Sequence, residues 1–219
     1  MLTERDAAIL RFINRFGYLA ARHVTAAFGM HHKATYRRLG RMVKEGYLRH
    51  IRPLKDEPGV YLLTERGIDA CESERARARL RLHTFRHDLL VADVAIVLAR
   101  ATGGEWITER DLRADAGGIG RPGPRAYVPD GALVRPGGAR IAVEVEITSK
   151  PRARLEKILR GYVRRPEFAE VWYYTATSRL AEKIEAAARR LRLDFVQAKT
   201  IKEVLPDERS GANQTRTVG

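Results

Sequence analysis

Cysteine is almost missing from this chain: Cys71 stands alone among 219 residues. No internal disulfide can form, and zinc centres built on several thiolates are excluded. Long apolar runs are missing too. The longest, LLVADVAIVLA from Leu89 to Ala99, is interrupted by Asp93 and falls short of the roughly 18 residues that a membrane span needs. The opening stretch, MLTERDAAIL, is charged and holds no apolar signal-peptide core, so the expectation is a cytoplasmic protein with no membrane association. No internal repeat is visible.

Acidic side chains are also scarce relative to basic ones. There are 27 Asp and Glu against 41 Lys and Arg, a formal net charge of +14. Residues 1–86 hold 18 basic and 9 acidic side chains, and the rest hold 23 and 18. A GC-rich coding sequence explains a preference for Arg over Lys, but not the surplus over acids. That surplus points to a polyanion, because each neutralised phosphate releases condensed counterions. What is plentiful is apolar residue, 44%, enough for a core. The length allows one large domain or two small ones.

Punctuation divides the chain. LKDEPGVY (Leu54–Tyr61) is a turn, ESERARARLRLHTFRH (Glu72–His87) a charged connector, and DAGGIGRPGPRA (Asp115–Ala126) a Gly/Pro loop. PDERSGANQTRTVG (Pro206–Gly219) is polar with no core-forming pattern and reads as a disordered tail. The expected organisation is a first domain over residues 1–70, a helical connector over 71–82, a second domain over 83–205 and the tail over 206–219.

The first segment predicts three helices and a hairpin. Thr3 caps a helix with Ile9, Leu10, Ile13 and Phe16 on one face, ended by Gly17. AARHVTAAFG predicts a short second helix and HKATYRRLGRMVKEG a third. YLRHIRP and VYLLT then flank a Pro-Gly turn as strands. That order is the order of a winged helix-turn-helix. The second segment predicts a long helix from about His83 to Thr102. Strands follow at EWITERDL, AYVPDGALV and RIAVEVEIT, then a helix, the strand EVWYYTAT, another helix and the strand LDFVQA. The class is α+β, the second domain being an α/β sheet covered by helices.

On the third helix, Thr35, Leu39 and Met42 recur at core-facing spacing. Lys33, Arg37 and Arg41 then share an outward stripe. His32 and Tyr36 flank the first turns, where a recognition helix meets base edges. Arg38 is lateral and suited to phosphate, and Arg49, Arg52 and Lys55 on the hairpin can follow the backbone of double-stranded DNA. The bland alternative is a solvated basic face. It accounts less well for a stripe on the one helix such a fold presents to a groove, next to a basic wing.

In RIAVEVEIT, Val143, Val145 and Ile147 alternate with Glu144 and Glu146. A half-exposed strand with a polar face explains this simply. Two like charges on one face are better explained if they share a cation. Asp130 lies one hairpin earlier, so strand pairing brings it near Glu144. Two such carboxylates suit Mg2+ and phosphate-ester chemistry.

Pro129-Asp130 with Glu144 resembles the PD-(D/E)XK nuclease family, in which two acids bind the metal and a lysine prepares the attacking water. Here Glu146 occupies the lysine position, Lys150 follows four residues on, and Glu109 is a stand-in for a further acid. The wider order is similar to the replication-relaxation family of plasmids and mobile elements. The matching stretches are LTERDAAILRFINRFGYLAARHV, YRRLGRMVKEGYLRHIRPL, VYLLTERG, WITERDLR, PDGALV, VEVEITSK and LEKILRGY, spanning Leu2 to Tyr162. The resemblance implies a winged helix followed by a PD-(D/E)XK nuclease-like α/β domain. It also implies Glu-x-acid at Glu144 and Glu146 as an ordinary feature, and a "K…Y" pair at Lys157 and Tyr162. It implies plasmid mobilisation or replication control through DNA binding, within a relaxosome and beside a relaxase or other mobilisation proteins.

The expected protein is therefore a sequence-specific, homodimeric DNA-binding accessory protein or regulator with a non-catalytic second domain. Two alternatives stand beside it. One is a Mg2+-dependent endonuclease with Asp130 and Glu144 as metal ligands and Glu146 and Lys150 completing the catalytic set. The other is a ligand-responsive transcriptional autorepressor. Other motifs carry less. GIGRPG (Gly118–Gly123) matches G-x-G-x-x-G, but Pro122 sits inside it and no helix follows. His83 and His87 lack a third metal ligand. His31 and His32 suit phosphate contact, and Cys71 reads as a buried thiol.

Overall fold

The structure, a computed structural model, describes residues 2–73, 77–115 and 127–205. The GIGRPG loop and the polar tail from Pro206 lie outside the described residues. The class is α+β, and the chain divides into two compact units. One comprises Met1–Ile96 with Ile107–Val128, the other Val97–Trp106 with Pro129–Gly219.

The first unit opens with α1 (Glu4–Phe16). Thr3 Oγ1 accepts the Asp6 N–H at 3.2 Å while Asp6 accepts the Thr3 N–H at 2.9 Å. This reciprocal cap fixes where the helix starts. Gly17, at φ 92°, ends it in a backbone region that favours glycine. Next come β1 (Leu19–Ala20), α2 (Ala21–Phe28) and α3 (His32–Lys44), then β2 (Leu48–Ile51), β3 (Val60–Leu63) and α4 (Glu65–Ala70). Ala20 has no side chain with which to cap α2. His23 Nδ1 instead accepts the Ala20 N–H at 3.0 Å, the reciprocal half of a capping box. The strands form an antiparallel sheet ordered β1-β3-β2. Sequence reading gave the β2–β3 hairpin but neither β1 nor α4.

The first core gathers Ile9, Leu10 and Ile13 of α1 with Val24, Leu39, Met42, Leu48 and Leu63. Each such side chain is worth about 1.5–3 kcal/mol on burial. The helix α5 (Phe85–Thr102) adds Ala92 to this cluster and Phe85 and Leu89 to a neighbouring one with Tyr18, Val60 and Leu62.

The stretch EWITERDL is not one strand. β4 (Glu105–Thr108) stops at Thr108, and α6 (Glu109–Asp115) begins. Thr108 and Asp111 explain the break. The Thr108 N–H donates to Asp111 Oδ2 at 3.1 Å, and the Asp111 N–H donates to Thr108 Oγ1 at 3.2 Å. This capping pair starts a helix where the alternation alone suggested a continuing strand. The strand expected from Ala126 is likewise shorter: β5 spans Gly131–Val134.

The second unit is built on a sheet ordered β4-β5-β6-β7-β8, adding β6 (Arg140–Glu146), β7 (Glu170–Thr175) and β8 (Val196–Thr200). β5 and β6 are antiparallel, whereas β6, β7 and β8 run parallel. The two parallel crossovers are α7 (Arg152–Tyr162) and α8 (Ser178–Leu191). Both steps move the same way across the sheet, so right-handed crossovers put both helices on one face. A short α9 (Ile201–Val204) follows β8. β6 is central, and every residue from Ile141 to Glu146 is buried.

Candidate functional site

In the first unit the basic side chains of α3 fall into two groups. His32, Lys33, Tyr36 and Arg37 are exposed, Tyr36 by 58%. Lys33 and Arg37 make no salt bridge among the described residues, so their charge is available to solvent or to a ligand. Arg38 and Arg41 are engaged instead. Arg38 Nη1 donates to Asp6 Oδ1 at 2.5 Å and Arg41 Nη2 to Asp6 Oδ2 at 2.5 Å. Helical spacing grouped Arg41 with Lys33 and Arg37, but its guanidinium is committed to α1.

Asp6 is fully buried. Burial pushes its carboxyl up, but the Thr3 N–H, the Arg38 guanidinium and the Thr3 hydroxyl outweigh that and hold it below its ordinary value. Arg5, Arg37, Arg38 and Arg41 line a concavity of about 610 Å³ together with Phe28, Met30 and Ala34. Its chemistry suits an anion: guanidinium donors among the lining residues, two of them held by one buried carboxylate.

On the hairpin, Arg49, Arg52 and Lys55 are all exposed. His50 stacks on Tyr61 with ring centroids 4.6 Å apart and covers Gly59, where a Cβ would lie 2.2 Å from His50 Nε2. This packing pins the strands on either side of the basic connection. The hairpin thus carries three exposed cations on a rigid base.

In the second unit, Asp130, Glu144, Glu146 and Lys150 come together. Gly131 pairs with Val143, so Asp130 lies across from Glu144. Asp130 Oδ2 accepts the Val145 N–H at 2.8 Å. Gly131 is required by close packing, since a Cβ there would meet the Trp106 ring at 2.1 Å. Glu144 is 3% exposed and accepts a hydrogen bond from the Tyr162 hydroxyl of α7. Glu146, 6% exposed, pairs with Lys150. The simple alternative of a half-exposed polar strand does not hold, because both carboxylates are buried.

Lys150 is itself half-buried. Burial pushes its ammonium below its ordinary value, while Glu144 and Asp130 pull the other way. Tyr173, beside Glu144 in the sheet, was not singled out from sequence. Its hydroxyl is buried with no hydrogen-bond partner among the described residues. Burial first, then the charges of Glu144 and Asp130, raises that phenol well above its ordinary value. The aromatic run EVWYYTAT marked a strand; only the register showed that Tyr173 meets the carboxylates.

The Mg2+ expected at Asp130 and Glu144 meets hard oxygen donors, but each carboxylate has an oxygen held by a protein N–H or O–H. Among the described residues, no group of three or more His, Cys, Asp or Glu side chains is placed to hold a metal ion. As placed, the cluster is a set of hydrogen-bonded carboxylates. Of the remaining candidates, Lys157 is exposed, and Glu109 pairs with Arg113 at 2.6 Å. His87 lies 3.5 Å from the Asp88 carboxylate, and Cys71 is buried. No helix among the described residues is long and apolar enough to cross a membrane.

A family model described as replication-relaxation matches residues 10–177. No curated protein and no solved structure matches the chain.

Proposed function

The chain belongs to the replication-relaxation family, and from that premise we propose that it is a sequence-specific double-stranded DNA-binding accessory protein or regulator. The family supports a replication-related role on a mobile element. In this reading the first unit is a winged helix-turn-helix whose α3 enters the major groove. His32, Lys33, Tyr36 and Arg37 meet bases and nearby phosphates. Arg38 and Arg41, oriented by Asp6, present fixed donors to the backbone, and Arg49, Arg52 and Lys55 grip it from the wing.

The observation that carries this reading is the exposed pair Lys33 and Arg37, beside a groove with two arginines anchored on buried Asp6. A merely solvated face has no need to immobilise its guanidinium groups. The second unit acts as a non-catalytic scaffold in which Tyr162 and Lys150 satisfy carboxylates of β6. A homodimer would read two half-sites related by its two-fold axis, and a relaxase or other mobilisation protein is the expected partner on the DNA.

Selection of bound duplexes from a random pool, followed by footprinting, tests the reading. A recurrent motif with two half-sites supports it. Recovery of unrelated sequences with equal affinity contradicts it. The rival is a PD-(D/E)XK endonuclease, favoured by the half-buried Lys150 ammonium near Asp130 and Glu144. Incubation with supercoiled plasmid and Mg2+ or Mn2+ separates the two. Cleavage that disappears in Asp130→Ala overturns the scaffold assignment.

A further inference from the structure

The second unit carries its own basic face. On α7, Leu155, Ile158, Leu159 and Tyr162 are buried. Arg152, Arg154, Lys157 and Arg160 are exposed, as is Arg164 in the turn that follows. The only acid of α7 is Glu156, which gathers Arg152 at 2.8 Å, Arg160 at 3.4 Å and Arg190 of α8 at 3.0 Å. One carboxylate therefore orders three guanidinium groups and leaves most of their charge uncompensated. Arg154, Lys157 and Arg164 make no ion pair among the described residues.

We propose that this outer face of α7 is a second contact surface for double-stranded DNA, one that holds the phosphate backbone without reading bases. It extends the DNA-binding reading above to a different unit and a different kind of contact. From Arg152 to Arg164 the segment runs about 18 Å at 1.5 Å per residue. That is enough to lie beside several phosphates of one strand, spaced about 3.4 Å along the duplex axis. Gly161 leaves the backbone open, since nothing lies within 4 Å of where its Cβ would be.

The composition of the face selects the occupant. Sequence-tolerant binding of single strands relies on aromatic side chains for base stacking. Here Tyr162 and Phe168 are buried, and the large apolar side chain left exposed is Val163. Cations without a stacking platform fit the backbone of a duplex.

The test is a triple variant of the full chain, Arg154→Ala, Lys157→Ala and Arg164→Ala, compared with Arg37→Ala. Affinity for duplex and for single-stranded oligonucleotides is measured across a salt series. At roughly 0.9 per phosphate contact, the triple variant lowers the duplex salt slope by about 2–3. Its preference for a selected site over a scrambled one stays unchanged. Since all three side chains are exposed and make no ion pair among the described residues, thermal unfolding should match wild type and certify the fold.

An unchanged duplex slope in a folded triple variant overturns the proposal, as does a loss confined to single strands. If the triple variant weakens binding while Arg37→Ala leaves affinity and preference intact, α7 stands and the α3 reading fails. The reverse pattern removes α7 and keeps α3.

Discussion

Arg41 Nη2 lies 2.5 Å from Asp6 Oδ2, joining the third turn of α3 to a fully buried carboxylate at the start of α1. Arg38 takes the other oxygen of the same carboxylate. A residue that caps one helix thereby orients two cations on another. Asp6 links the start of α1 to the surface chemistry of α3.

Replacing Asp6 by Ala removes the reciprocal cap with Thr3 and both guanidinium contacts. Arg38 and Arg41 keep side-chain exposures of 27% and 43%, so they rehydrate and are not stranded in the core. The expected loss is about 2 kcal/mol, from a lost cap and lost charge-assisted hydrogen bonds. Urea unfolding of the variant reads it directly.

The same contact sets a pH dependence. The Asp6 carboxyl is held below its ordinary value in the folded chain, as are those of Asp88 and Asp93. For Asp88 and Asp93 too, burial pushes upward and is outweighed, by His87 and Tyr18 at the first and by His23 and Arg22 at the second. A depressed carboxyl stabilises the fold above the unfolded-state pKa, and that stability is lost as pH falls through the folded value. Unfolding free energy should therefore be flat above the carboxylate range and decline below pH 3.8. In Asp6→Asn the decline should be shallower.

Gly131→Ala tests the strand that carries Asp130. A Cβ at that position would lie 2.1 Å from the Trp106 ring, so β5 must shift or the indole must turn. Overpacking of this kind costs about 1–3 kcal/mol. The lowered melting temperature should be accompanied by a changed Trp fluorescence spectrum.

Tyr162→Phe tests the support that α7 gives to Glu144 in the second unit. It leaves the buried Glu144 carboxylate without its phenol donor, a loss of about 1–3 kcal/mol. The proposed scaffold role predicts reduced stability with unchanged affinity for duplex DNA. A fall in DNA affinity without any stability change would contradict it.

Much of this architecture can be read from residues. The Thr3 cap follows from its residue type and the α3 core positions Thr35, Leu39 and Met42 from local periodicity, whereas the alternation in β6 marked a strand without showing that both of its faces are buried. The meeting of Asp130 with Glu144 follows from one hairpin. The partners of Arg38 and Arg41 could not be read, because Asp6 is more than 30 residues away and looks like an ordinary capping acid. Tyr173 was hidden for a similar reason: its closeness to Glu144 depends on the parallel register of β6 and β7. Likewise, the apolar run of α5 does not reveal that Phe85, Leu89 and Ala92 pack into the first unit. The helix α6 was missed because Thr108 and Asp111 act as a cap within a stretch whose alternation resembles a strand.

The most direct test of the central claim is the affinity of the full chain for a selected duplex and for a scrambled one, measured with wild type and with Arg37→Ala at fixed salt. The claim predicts that wild type prefers the selected duplex by about 10³-fold or more. It predicts that Arg37→Ala narrows this preference by about 1–3 kcal/mol. Equal affinity of wild type for both duplexes, or a preference untouched by Arg37→Ala, would contradict it.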